Sequence, residues 1–386
     1  MSNQRQAAAD RVIHRGERLF LTAWLAGLSL LLAIAGCLAV FPVRNEALAV
    51  AGRHRDRMDP SAPDPGTTCP DRQLPAGAIP TPVTAGIYVD RIVDLSIKDA
   101  SWTVDFYLWL RWHQDSAQAG GDGAGGAFEP GNGIHVVDGS IESSQREEQC
   151  TTGGERYERY RIVARITKPF EISRFPCDDH LLTINVENPR YQRHQLVFVA
   201  DEANSGVSSR VRVSAYGIHR SQIIEKPHSY KTTRGDPRLP AGTKSTYSQC
   251  RLGIELRRDS WGFYFKMFQA LYVAVTIAML SMFIKPTNVD PRFGLGVGGL
   301  FAAVANSYVT SSLIPDTGMM TVADLVNGIG IGMILLTVIQ STVSLYLFER
   351  LELEALSRRF DQLSFAILAG GYLSINLALP LAAVAT

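Results

Sequence analysis

The chain of 386 residues lacks the short motifs that carry most enzyme chemistry. It has no H-E-x-x-H pair, no G-x-S-x-G turn and no phosphate-binding glycine loop of the P-loop type, and its eight histidines are scattered. Its 38 basic and 37 acidic residues leave a formal net charge of +1, which gives no sign of a nucleic acid partner. We therefore expect neither an enzyme nor a bound cofactor or metal.

Cysteine is sparse, with five residues in the whole chain. Four of them, Cys69, Cys150, Cys177 and Cys250, lie in the polar part of the sequence, and no pair has the close spacing of a zinc site. Spacing alone does not give disulfide connectivity, so bridges and unpaired buried thiols both stay open.

Charged residues are concentrated in residues 44–258, and long apolar runs fill the rest of the chain. A helix needs roughly 20 apolar residues to cross a bilayer. Five stretches meet that requirement, at about 19–41, 261–284, 293–314, 320–348 and 363–384. The last four follow one another closely, which predicts a four-helix transmembrane bundle over 259–386 with an extra hydrophobic helix at the N-terminus.

Basic residues in short loops predict the orientation, because such residues favour the cytoplasmic side. The 315–322 loop and the C-terminus carry no basic residue, so we place the C-terminus and residues 44–258 outside the cytoplasm. The basic residues that mark the cytoplasmic side are Arg5, Arg11, Arg15, Arg18, Lys285, Arg292, Arg350, Arg358 and Arg359.

The N-terminal segment, residues 1–43, fits either a signal peptide or a retained signal anchor. Pro42 follows the apolar run, and Ala47-Leu48-Ala49 is a small-residue site at a suitable distance for cleavage. Both interpretations stay open. Residues 44–83 are rich in proline, glycine and arginine without sustained periodicity, which predicts a linker.

Residues 84–258 place apolar side chains at every second position, the period of a strand with one buried face. A long loop between strands is predicted over 117–133. Many short alternating strands are typical of an antiparallel, immunoglobulin-like β-sandwich. The predicted inward sets are Ile87, Val89, Val93, Leu95 and Ile97; Trp102, Val104, Phe106, Leu108, Leu110 and Trp112; Tyr160, Ile162, Ala164 and Ile166; Leu182, Ile184 and Val186; and Cys250, Leu252, Ile254 and Leu256.

The outer face of the strand at 102–112 carries Tyr107, Trp109 and Arg111. A strand face in water should be polar, so two aromatic rings beside an arginine favour a protein interface or an aromatic ligand pocket. A second buried face within the subunit is the alternative.

The 293–314 helix is too polar for a helix surrounded by lipid. One of its faces is small or polar with an aromatic residue at the middle: Gly294, Gly298, Phe301, Ala305, Tyr308 and Ser312. Such a face suits a water-filled pore with a hydrophobic constriction, and equally a close helix contact through Gly294 and Gly298. Asp290 precedes this helix, and would form a ring of carboxylates if copies of the chain surrounded an axis.

Taken together, these segments resemble the pentameric ligand-gated ion channels of the Cys-loop superfamily, most closely the prokaryotic members. The run RFGLGVGGLFAAVANSYVTSSLIPDTGMMTVADLV resembles their pore helix, outer loop and third-helix start. KPFEISRFPCDDHLLTINVEN resembles the signature loop, with His180 in the place of Gln, and WTVDFYLWLRWHQD and ELRRDSWGFYF resemble the second strand and the entry to the first helix. The likeness covers residues 84–386. Lys168 and Leu182 stand where the family disulfide would be, so that bridge is missing.

The resemblance implies a homopentamer in the bacterial inner membrane, surrounded by membrane lipid and opened by a small molecule or a proton. Monovalent cations would pass through a pore lined by the face at 294–312, with Asp290 as the selectivity ring and Phe301 as the gate. The implied ligand-binding residues, between adjacent sandwiches, are Tyr107, Trp109, Arg111, Tyr191, Tyr230 and Tyr247. The implied coupling residues are Asp178, Arg257, Arg258, Pro315 and Asp316. The alternative function is a non-conducting, membrane-anchored ligand-binding or sensor protein on the same scaffold, which the glycine-rich pore face favours.

Overall fold

A computed structural model describes residues 15–63, 74, 77–113, 128–232, 244–258, 261–316 and 318–384. The chain divides into two compact units. The helical unit comprises Met1–Leu48, Ile172–Asp178 and Ser260–Thr386, and the sheet unit comprises Ala49–Glu171 and Asp179–Asp259.

Among the described residues, five helices are long and apolar enough to cross a membrane, as the sequence predicts. Helices α2 to α5 pack on their neighbours in sequence, and α2 also packs on α4. Their buried faces share one apolar core, which includes Phe268, Ala303, Met333 and Leu368. The five helices are α1 Arg15–Met58, α2 Trp261–Leu280, α3 Val289–Ser311, α4 Val322–Glu349 and α5 Glu354–Val384.

Helix α1 is longer than the sequence pattern indicates, which corrects the predicted linker at 44–83. It continues through Pro42 to Met58, so residues 44–58 are helical. The reason is a buried stripe with spacings of three and four residues, the period of one helix face. The stripe consists of Val43, Ala47, Val50, His54 and Met58. Composition alone hid it, because arginine and other polar residues fill the remaining positions.

Two sheets form the sheet unit, one of six strands and one of four. The larger has the order β4-β5-β2-β1-β7 with β8 also on β1, and the smaller has the order β3-β6-β10-β9. The strands are β1 Thr81–Ser96, β2 Ser101–His113, β3 His135–Val136, β4 Gly139–Thr152, β5 Glu155–Thr167, β6 Asp179–Glu187, β7 Leu196–Ala200, β8 Gly206–Val207, β9 Gly217–Tyr230 and β10 Ser245–Arg257.

The sheets are not purely antiparallel, which corrects the predicted strand arrangement. Strands β7 and β8 both run parallel to β1, so the larger sheet is mixed. Both strands are short, with five and two residues, and a period of two carries no information on strand direction. Strand β1 also begins at Thr81, inside the predicted linker.

The core of the sheet unit consists of the alternating positions that the sequence predicts, with one exception. The six apolar positions of β2 are all buried, and so are the inward positions of β6 and β10. Val93 was predicted to face inward but is 55% exposed. Register shifts after Val89 and after Ile92 change which side chains face the core, and Ile92 packs there instead. Most of the loop predicted at 117–133 lies outside the described residues.

Candidate functional site

In the single chain, the face of α3 predicted to line a pore is exposed along its whole length. Gly294, Gly298, Ala305 and Ser312 are exposed, Phe301 is 74% exposed and Tyr308 is 79% exposed. The opposite face of the helix is buried and consists of Arg292, Gly296, Gly299, Ala303, Asn306 and Thr310. Helix α3 therefore presents two large aromatic side chains on its exposed face.

The polar composition of α3 has two separate causes. Part of it serves packing: a Cβ on Gly296 would lie 2.8 Å from Val338, and a Cβ on Gly299 would lie 2.9 Å from the Ala274 carbonyl oxygen. Asn306 donates to Asn327 on α4 at 2.9 Å in a buried contact. In contrast, a Cβ on Gly294 or Gly298 would meet open space. Close packing within the subunit therefore does not explain these two glycines.

At the start of α3, an acidic side chain is exposed and a basic side chain is buried. Asp290 is exposed in the first turn of the helix. Arg292 is 1% exposed, donates to the Ile284 carbonyl oxygen at 2.8 Å and pairs with Asp361 on α5 at 2.8 Å. Ser344 donates to the other oxygen of Asp361 at 2.7 Å. The carboxylate of Asp290 is thus the charge that this end of α3 presents to solvent.

In the sheet unit, Tyr107, Trp109 and Arg111 line one open cleft of about 580 Å³. The remaining lining residues come from β1, β4, β5 and the segment after β7: Tyr88, Glu147, Tyr157, Arg159, Asp201 and Asn204. The cleft offers three tyrosine rings, one indole and charges of both signs. Such a lining can bind a small polar or charged molecule through ring faces and ion pairs.

Asp201 is hydrogen-bonded to three other residues that line this cleft. Its carboxylate accepts hydrogen bonds from Trp109 at 3.0 Å, from Arg111 at 3.0 Å and from Asn204 at 2.8 Å. Burial acts to raise the pKa of Asp201, but the hydrogen bonds and the Arg111 charge lower it overall. Gly86 permits the arrangement, because a Cβ there would lie 2.1 Å from the indole ring of Trp109. The indole can therefore cross β1 to reach Asp201.

Tyr107 lies beneath guanidinium groups. The Cζ atoms of Arg159 and Arg161 are 5.9 Å and 5.6 Å from its ring centroid. Arg161 also binds the fully buried Asp105, with its two nitrogens at 3.1 Å and 2.9 Å from the carboxylate oxygens. Hydrogen bonds from Arg161 are the main reason that the pKa of Asp105 is lowered, although burial opposes the shift. A cationic ligand would have to compete with these arginines for the Tyr107 ring.

The other three predicted ligand-binding tyrosines lie elsewhere in the sheet unit. Tyr230 and Tyr247 pair on β9 and β10 with ring centroids 5.8 Å apart, and Tyr247 is buried. The Tyr230 hydroxyl donates to the buried Glu187 at 3.1 Å. Tyr191 packs on Phe128, with ring centroids 4.9 Å apart. These three tyrosines are not among the described residues that line the Tyr107 cleft. The tip of the β9–β10 hairpin, residues 233–243, lies outside the described residues.

The predicted coupling residues belong to both units. In the sheet unit, Arg257 is exposed, and Arg258 stacks on Tyr216 at 4.3 Å and donates to its hydroxyl. In the helical unit, Pro315 is half-buried, Asp316 is exposed and Asp178 is buried.

Asp178 ends the 172–178 segment, which packs among the helices. Val322 and Ala323, in the first turn of α4, donate their backbone amides to Ser173 and Phe175 at 3.1 and 3.0 Å. Thr321 and Asp324 close the same helix start with a capping box. First-turn amides have no partner inside a helix, so the 172–178 segment and the capping box together satisfy those of α4.

Sequence reasoning missed several residues of the cleft, above all Asp201, Tyr88 and Gly86. Asp201 follows a five-residue strand, and its role depends on the parallel pairing of β7 with β1. The sequence signal for that pairing is weak. Tyr88 stands opposite Tyr107 across β1 and β2, which antiparallel pairing could have suggested.

No family model and no curated protein matches this chain. Within the described residues, no group of three or more His, Cys, Asp or Glu side chains is placed to hold a metal ion. The geometry of the sites is therefore the basis for the functional proposal.

Proposed function

We propose that the protein is a pentameric ligand-gated ion channel of the Cys-loop superfamily, which binds its ligand outside the cytoplasm and passes monovalent cations. In this proposal the sheet unit is an immunoglobulin-like ligand-binding sandwich. Helices α2 to α5 form a four-helix bundle in the bacterial inner membrane, and five copies of α3 surround the pore. The C-terminus and the sandwich lie outside the cytoplasm.

The exposed face of α3 is the observation that carries the proposal. Phe301 and Tyr308 are among the most exposed large side chains of the subunit, on a helix whose other face holds the packing contacts. Gly294, Gly298, Ala305 and Ser312 lie on the same exposed face, so small or polar positions alternate there with the two aromatic side chains. A face of this kind is suited to water, with Phe301 as a narrow apolar ring that excludes water when the pore is closed.

The opposite placement of Asp290 and Arg292 supports selectivity for cations. Arg292 is neutralised by Asp361 inside the subunit, whereas Asp290 is exposed at the start of α3. Five copies would place five carboxylates around one mouth, with the five guanidinium groups buried away from it. Carboxylate rings concentrate cations and repel anions.

The Tyr107 cleft supports the ligand-gated part of the proposal. It is open on the surface of a single subunit, and Tyr230 with Tyr247 lies on a different sheet. Two sites on opposite sheets of one subunit could form one pocket between neighbouring copies. The agonist would then be a small molecule held by aromatic rings and charges, or a proton.

Purified full-length protein in planar bilayers tests conduction and selectivity together. We expect a homopentamer in native mass spectrometry, and a reversal potential in a salt gradient that favours cations. Asp290→Ala should weaken that preference, because it removes the ring. Glu354→Ala is the matched control, since Glu354 is an exposed acid in the first turn of α5, and we expect it to leave the reversal potential unchanged.

A stable monomer or dimer, or selectivity for anions in the wild type, would contradict the proposal. A pentamer that binds small molecules at the Tyr107 cleft without any current would favour the non-conducting sensor instead.

A further inference from the structure

An apolar groove of about 910 Å³ lies between α1 and α5 in the helical unit. Its floor is a close helix contact: a Cβ on Gly371 would lie 2.6 Å from Leu32, and a Cβ on Gly36 would lie 3.3 Å from Ile375. Arg44 is the one charged residue among those that line the groove, and it lies at one end of the α1 lining. The groove therefore has an apolar body and a cationic end.

The dimensions of the groove fit one leaflet of a bilayer. Its lining on α1 runs from Ser29 to Arg44, which is about 22 Å along a helix that rises 1.5 Å per residue. Half of a hydrocarbon core is about 15 Å, and the headgroup layer adds a few ångströms. The apolar run of α1 ends just before Pro42, so a membrane-spanning α1 would place Arg44 at the depth of the lipid phosphates.

The charge at that end suits an anion. Arg44 is exposed, and a guanidinium group can bind phosphate oxygens in a bidentate way. Glu46 is the nearest acid on the helix, but two residues turn it by about 200° around the axis. No acid lines the groove to repel a phosphate.

We propose that this groove binds one anionic glycerophospholipid, with its phosphate on Arg44 and an acyl chain along Gly36, Cys37 and Ile375. This site goes beyond the channel proposal and does not depend on conduction. It requires only that α1 stays in the mature chain.

Cys37 provides a direct probe, because it is exposed and lines the groove. In full-length protein with its other four cysteines replaced by alanine, Cys37 is labelled with bimane. The protein is placed in phosphatidylcholine bilayers that contain equal small fractions of dibrominated phosphatidylglycerol or dibrominated phosphatidylcholine. We expect the anionic lipid to quench about fivefold more effectively, the effect of one cation near an anionic headgroup. Arg44→Gln should remove that preference, and Arg55→Gln, an exposed arginine outside the groove, should keep it.

Native mass spectrometry of the unlabelled chain avoids any effect of the label. We expect retained phosphatidylglycerol in the wild type and its loss in Ala33→Trp, which fills the groove. Leu30→Trp adds the same bulk at an exposed position outside the groove and should retain the lipid. Equal quenching by both lipids, a preference that survives Arg44→Gln, or protection of Cys37 from both lipids by another copy of the chain would overturn the proposal.

Discussion

Breaking the buried pair between Arg292 and Asp361 should destabilise the helical unit more than any other single change of charge at that end of the helices. The Arg292 side chain is fully buried and that of Asp361 is 8% exposed, with 2.8 Å between the charged atoms. Arg292→Gln leaves the Asp361 carboxylate buried with only Ser344 and other neutral donors. Removing one partner of a buried pair costs about 3–5 kcal/mol of unfolding free energy.

The double variant separates the pair from simple loss of packing. Arg292→Leu with Asp361→Leu removes both charges together, and apolar replacement of a buried pair is often neutral or stabilising. We therefore expect the double variant to lose less unfolding free energy than Arg292→Gln or Asp361→Asn alone. Arg359→Gln is the control for charge, because Arg359 is exposed nearby in sequence on α5, and it should change the unfolding free energy by no more than about 0.5 kcal/mol.

Unfolding of the full-length protein in mixed micelles, followed by tryptophan fluorescence, measures these differences. A cost below about 1 kcal/mol for Arg292→Gln would mean that the guanidinium is not buried against Asp361. A double variant that loses as much unfolding free energy as either single variant, or more, would contradict a destabilising unpaired charge in the single variants. Either result would also remove the reason to expect Asp290 as the dominant charge at the start of α3.

Three further predictions concern other parts of the chain. The pKa of Asp105 is lowered below its ordinary value of 3.8, so its ion pairs stabilise the fold above that pH, and this stability is lost as the pH falls through the lower pKa of the folded state. Asp105→Asn should therefore flatten the acid limb of a plot of unfolding free energy against pH. An unchanged acid limb would refute this prediction. Trp109→Ala and Tyr230→Ala should each weaken binding of a cationic agonist by about 0.5–2 kcal/mol in dose–response currents, and an unchanged response would argue against the aromatic site. The intact mass of the membrane-extracted protein should correspond to a chain that still contains residues 15–58, because Ala47 and Val50 are fully buried. A mass that corresponds to a chain beginning after Ala49 would show cleavage.

The sequence was a good guide wherever the pattern is local. Apolar runs predict the five long helices, and alternation predicts the buried face of β2, because burial repeats at the period of each backbone. Helical spacing also groups Phe301 and Tyr308 on one face of α3, and the structure leaves that face exposed.

The parts that failed depend on neighbours distant in sequence. Val93 is exposed because bulges interrupt β1, and no residue in that strand signals them. The sequence also leaves open whether Gly294 and Gly298 face a pore or a packed helix, and within the chain a Cβ at either position would meet open space. Asp201 joins the cleft only through the parallel strand β7. In each case the partner strand or helix decides the outcome.

The most direct test of the channel proposal is an ion-flux measurement on Phe301→Ser in liposomes without any agonist. A polar ring at the constriction should let water and ions through a closed pore, so we predict a steady leak that wild type and Phe301→Leu do not show. Phe301→Leu is the matched control because it keeps the ring apolar. Pentameric Phe301→Ser protein in ion-tight liposomes, together with equally tight Tyr308→Ser protein, would contradict a pore along this face of α3.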